Sequence, residues 1–119
     1  MSLCILTAGK TLVLAVSSFT LTWTHSVEKV EWRESYTVAG SYLLLKQAAV
    51  QGSGAGMEPG AEAVLRNGWW VWEPKLSPLP SLVLAASGTT PGGWRLCHAG
   101  GCITLGAEAG RAVTLKPCE

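Results

Sequence analysis

The feature that most constrains this chain is an alternation of period two. From Phe19 to Glu28, the residues Phe19, Leu21, Trp23, His25 and Val27 fall on one face of an extended backbone, and Thr20, Thr22, Thr24, Ser26 and Glu28 on the other. Successive side chains of a strand point to opposite faces, so this is the signature of a half-buried β-strand. The next run repeats it: Val30, Trp32, Glu34, Tyr36 and Val38 share a face, opposite Glu31, Arg33, Ser35 and Thr37. Elsewhere, short stretches rich in Val, Leu, Thr and Trp lie between Gly, Pro and Ser clusters, with little helical periodicity. Strands are expected at Leu3–Thr7, Thr11–Val16, Phe19–Val27, Val30–Val38, Tyr42–Val50, Ala63–Arg66, Trp69–Trp72, Leu82–Ala86, Trp94–His98, Cys102–Leu105 and Val113–Lys116. Asn67-Gly68 is the strongest turn signal, since both residues tolerate positive φ. Pro74, Pro78 and Pro80 mark a long loop between two halves of the sheet structure. A chain of 119 residues builds one core. The expected fold is a single all-β domain over residues 1–119, an antiparallel sandwich or a flattened barrel of short strands.

Composition narrows the function. Only 14% of residues are charged and 48% are hydrophobic, which excludes a disordered tail, and a net charge of +1 provides no footprint for nucleic acid. All eight acidic residues are Glu. Without Asp, neither an EF-hand loop nor a Ser-His-Asp triad in its usual form can be built. The longest uncharged stretches, 11–27 and 76–94, are broken by polar residues and by prolines, so no transmembrane segment is expected. Lys10 interrupts the apolar run that begins at Leu3, which argues against a signal peptide and for a cytoplasmic location.

The sparse charge concentrates at one place. Glu28, Lys29, Glu31, Arg33 and Glu34 lie within seven residues, around the expected turn of a hairpin. A turn centred on Glu28-Lys29 aligns the two apolar rows, pairing Val27 with Val30, His25 with Trp32, Trp23 with Glu34 and Leu21 with Tyr36. His25 and Glu34 are then diagonal neighbours on the buried face, flanked by Trp23 and Trp32. A carboxylate in an apolar layer is costly unless paired, and a protonated imidazole is its natural partner. The pair reads either as a polar bridge that fixes strand register or as a ligand or metal site. Ser26 points away from His25, so a hydrolase built on that dipeptide is disfavoured.

Three further features carry chemistry. The loop QGSGAGMEPG, Gln51 to Gly60, has alternating glycines that allow close backbone approach to a ligand, although it matches neither a phosphate loop nor a dinucleotide fingerprint. Its Gly54, Gly56, Met57 and Glu58 are counted with the hairpin as candidate ligand-binding residues. Trp70 and Trp72 share one strand face and Trp69 takes the other, as core or as a carbohydrate or protein contact. Cys97 and Cys102 flank a turn, and Cys4 and Cys118 meet if the barrel closes; disulfides, free thiols and a zinc site with His98 are all open.

At these residues the sequence resembles a bacterial family known only as domain of unknown function 1850. FTLTWTHSVEK, WRESY, GSGAGMEPG and RNGWW carry the resemblance, over about Leu3 to Leu84 with a looser tail. The motif positions fall on His25, Ser26, Val27, Glu28, Glu34, Gly54, Gly56 and Met57. Because members are often encoded beside TRAP transporters of the TAXI type, the resemblance implies an accessory role in solute uptake, with transporter components or a small solute as partners, and a periplasmic location. The favoured function is a small accessory or ligand-binding protein without catalysis and without a cofactor. The alternatives are a metal-assisted hydrolase using His25, Glu34 and Glu58, and a purely structural or interaction protein.

Overall fold

In the computed structural model, residues 1–24, 29–52, 62–86 and 93–118 are described. They form eleven strands and no helix: β1 (Ser2–Thr7), β2 (Lys10–Leu14), β3 (Ser18–Thr24), β4 (Glu31–Ala39), β5 (Tyr42–Gln51), β6 (Val64–Arg66), β7 (Trp69–Trp72), β8 (Leu82–Leu84), β9 (Trp94–His98), β10 (Gly101–Leu105) and β11 (Val113–Cys118). Every expected strand is present, most with ends shifted by a few residues; residues 25–27 of the expected strand Phe19–Val27 lie outside the described residues. Asn67 and Gly68 have φ of 50° and 84°, the left-handed pair that a two-residue hairpin turn requires.

The strands divide into a four-stranded sheet, β2-β1-β11-β8, and a seven-stranded sheet, β10-β9-β3-β4-β5-β7-β6, both antiparallel. The all-β expectation holds as a sandwich: two open sheets face each other, and among the described residues no ladder closes them into a barrel. The proline-rich segment between Glu73 and Ser81 carries the chain from the large sheet to the small one, held midway by the Leu43–Leu79 bridge.

Leu3, Ile5, Val113, Leu115 and Leu84 of the small sheet pack on Phe19, Leu21, Tyr36, Val38, Leu43, Leu96 and Leu105 of the large one. Each such aliphatic side chain removed from water contributes about 1.5–3 kcal/mol. At one corner the layers close tightly. Gly93 has a φ of 71°, and a Cβ there would lie 2.7 Å from Ala107 Cα and from the Leu105 carbonyl oxygen.

Two local features depart from simple alternation. On β5, Leu43 and Leu45 face the core, yet so do Ala48 and Val50, which have the opposite parity. A β-bulge reconciles them: Ser35 pairs with Gln47 and Tyr36 with Leu45, leaving Lys46 as the extra residue. The β3–β4 register also differs from the expected one. Trp23 pairs with Trp32, Leu21 with Glu34 and Phe19 with Tyr36, a slip of two residues from the turn centred on Glu28-Lys29. A slip of two keeps every residue on its expected face and changes only its partner.

Candidate functional site: an aromatic wall around Glu34

The inner face of the large sheet extends beyond the aliphatic core as a row of tryptophans. Trp23 on β3 stacks on Trp32 of β4, with ring centroids 6.2 Å apart and planes inclined by 11°. Trp94 of β9 meets Trp23 at 4.9 Å, and Trp72 of β7 approaches Trp32 edge-on at 6.1 Å. Register explains the row: Thr22 pairs with Arg95, so Trp23 and Trp94 follow one step on, while Val50 of β5 lies between Trp32 and Trp70. All five of these indoles are half-buried. Offset and edge-to-face contacts of this kind contribute about 0.5–1.5 kcal/mol per pair beyond the area they bury.

Glu34 sits one row further in. Across the sheet its neighbours are Leu21 and Ala48, and along β4 they are Trp32 and Tyr36 on the same face. Nothing in this ring is a cation. The Tyr36 hydroxyl donates to Glu34 Oε1 at 2.8 Å, and the Tyr36 ring stacks on Phe19 at 5.2 Å. Burial pushes the Glu34 carboxyl above its ordinary value, and the Tyr36 hydrogen bond offsets part of that rise. Burial likewise raises the Tyr36 hydroxyl, helped by the adjacent Glu34 charge and by the bond between them, so Tyr36 remains a donor at any ordinary pH.

The indole N–H groups divide in an informative way. Trp94 Nε1 donates to the Ala85 carbonyl at 2.9 Å, which ties that ring to the small sheet. Trp32 Nε1 and Trp70 Nε1 are buried and have no hydrogen-bond partner among the described residues. An unpaired buried donor costs about 1–3 kcal/mol, so both groups demand an acceptor. Among the described residues the wall therefore presents aromatic faces, two indole N–H groups without a partner and one desolvated carboxyl.

Of the candidate residues read from the sequence, Trp23, Trp32 and Glu34 lie on one face of β3 and β4, with Trp23 opposite Trp32 rather than Glu34. His25, Ser26, Val27, Glu28, Gly54, Gly56, Met57 and Glu58 lie outside the described residues. The expected diagonal contact between His25 and Glu34 rested on Trp23 facing Glu34, and that register is corrected: the β3 residues diagonal to Glu34 are Phe19 and Trp23. Sequence reasoning did not assign Trp94, Trp70 and Trp72 to the site. Their signal was parity, since each lies on the core-facing side of its strand, but it becomes a site only once the strand order is known.

The cysteines pair as Cys4–Cys118 and Cys97–Cys102, with Cα separations of 5.7 and 4.1 Å. Direct pairing of β1 with β11, rather than barrel closure, brings the first pair together. No thiolate is left for the zinc site considered with His98. Among the described residues no helix is long and apolar enough to cross a membrane.

Fold and site together define a two-sheet antiparallel sandwich with an aromatic, carboxyl-bearing surface at the end of its larger sheet. The chain belongs to the family described as Domain of unknown function (DUF1850), whose match covers residues 19–105. That span runs from β3 to β10. It holds the large sheet but for Ser18, together with β8, and starts later than the resemblance over about Leu3 to Leu84 with its looser tail. No curated protein and no solved structure matches the chain.

Proposed function

We propose that this protein is a non-catalytic binding protein whose ligand is a small amphipathic solute seated on the tryptophan wall, with a polar group toward Glu34. The observation that supports this reading is a desolvated carboxyl with no cationic neighbour among the described residues, beside indoles of which two have buried N–H groups without a partner among those residues. A purely structural role would favour an apolar residue in place of Glu34, because a buried carboxyl without a compensating charge destabilises the fold. The indole faces supply apolar contact area at little cost in side-chain entropy, and Glu34 supplies orientation. His25, the next residue after Thr24 in sequence, and Gly54, Gly56, Met57 and Glu58 are the further members proposed for the site.

The proposed setting is solute uptake through TRAP transporters of the TAXI type, as the family resemblance implies. Two disulfides support an oxidising compartment such as a periplasm over the cytoplasm. The test is a thermal-shift and tryptophan-fluorescence screen of carboxylates, amino acids and amines on the wild type, Glu34→Gln and His25→Ala. A true ligand raises the wild-type melting temperature and perturbs indole emission, and Glu34→Gln weakens it by about tenfold, the loss of one charge-assisted contact. Ligands that shift the wild type and Glu34→Gln alike would refute the proposed role of this surface, and a screen with no shifts would refute small-solute binding.

A further inference from the structure

The outer face of the large sheet carries chemistry that the tryptophan wall does not use. Thr22 stands directly opposite both Arg33 on β4 and Arg95 on β9. A short hydroxyl side chain thus lies between two guanidinium-bearing ones, whose backbones are two strand spacings apart, about 9.6 Å. All three line one surface depression of about 390 Å³, together with Thr20, Glu31 and Cys97.

Two observations distinguish this from an ordinary solvated face. Arg33 Cζ lies 4.3 Å from the centre of the Trp69 ring, a stacking that restrains the guanidinium without occupying its N–H donors. Among the described residues the sole ion pair is Lys75–Glu62, so no carboxylate contact there neutralises Arg33 or Arg95. The depression also shares Thr20 and Cys97 with a second one of about 400 Å³ that holds Lys46 and His98. Arg33, Arg95 and Lys46, three of the nine Lys and Arg residues of the chain, thus lie along two adjoining depressions.

We propose that Arg33, Arg95 and the Thr22 hydroxyl form an oxyanion site that takes the phosphate or carboxylate group of a small solute. The planar guanidinium fork matches both groups with two parallel hydrogen bonds, and a threonine hydroxyl between two forks donates a third contact. Glu31, in the same depression, repels an anion and holds the affinity down.

The test is calorimetric titration of the full chain with inorganic phosphate and, separately, with succinate, at matched ionic strength. Saturable binding of either anion is expected, weakened about tenfold or more in both Arg33→Gln and Arg95→Gln and strengthened in Glu31→Gln. Phosphate alone, succinate alone or both identifies the anion accepted. The two arginines are exposed, so their variants should melt within a few degrees of the wild type, Arg33→Gln the lower of the two because it loses the Trp69 stacking. No saturable heat with either anion, or affinities unchanged in both arginine variants, would overturn the site. Glu34→Gln lies on the opposite face and leaves anion binding intact, so failure here is separable from failure of the tryptophan-wall reading.

Discussion

Glu34 concentrates the conflict between stability and chemistry in this protein. Its neighbours Leu21, Ala48 and Trp32 withdraw water from the carboxyl, and Tyr36 returns only one hydrogen bond. The folded state therefore binds its proton more tightly than the unfolded chain does. The sign follows from linkage: the stability this group contributes is fully present below the ordinary value of 4.5 and is lost as pH rises through the raised one. Glu34→Gln keeps an oxygen to accept from Tyr36 and removes the charge. Between about pH 4 and about pH 7 the melting temperature of this variant should fall less than that of the wild type, and at neutral pH the variant should be the more stable. Equal pH slopes in the two proteins would show that Glu34 is not desolvated. The inward face of Glu34 was legible from alternation alone. Its partners were not, because Tyr36 reaches it along the same strand and the cross-strand neighbours depend on register.

Elements are where sequence reading and structure part most clearly. All eleven strands were readable, since each is a short β-favouring run between turn signals. The bulge was not legible, because Leu43-Leu44-Leu45 and Ala48-Ala49-Val50 are apolar at both parities, and only the β4 ladder shows where the extra residue sits. Lys46 is that residue, and its exposed side chain contributes little. Lys46→Ala should change stability by no more than about 0.5 kcal/mol, whereas deleting Lys46 turns one of the two pairs to water and costs about 3 kcal/mol or more. Urea unfolding of the two variants measures both. A deletion as mild as the substitution would mean that the strand absorbs the loss elsewhere. The hairpin register failed for a related reason. Pairing with a period of two is unchanged in face by a slip of two, so apolar matching alone admits both Trp23 with Glu34 and Trp23 with Trp32. Stacking of the two indoles distinguishes the observed register, and it gathers Trp94 and Trp72 into the same row.

At the scale of the whole molecule, the small sheet is assembled largely from the chain ends. β1, β2 and β11 lie outside the span matched by the family, and only β8 comes from within it. The Cys4–Cys118 bond joins those ends across a sequence separation of 114, whereas Cys97–Cys102 spans 5. Loop-closure entropy in the unfolded chain rises with the length enclosed, so the long-range bond should dominate. The double variant Cys4→Ser/Cys118→Ser is expected to lose about 2–5 kcal/mol in urea unfolding, and Cys97→Ser/Cys102→Ser less. The reverse order would place the stabilisation in the hairpin instead. Strand positions, the face of each side chain, the all-β class and the inward carboxyl were already contained in the residues, because backbone geometry makes them local. Cysteine pairing, the order of strands in each sheet, the separation into two open sheets, the convergence of tryptophans from four strands around Glu34 and the placing of Arg33 and Arg95 about Thr22 were decided by tertiary structure. Each joins segments distant in the chain, and a pattern of period two specifies which way a side chain points without specifying what it meets.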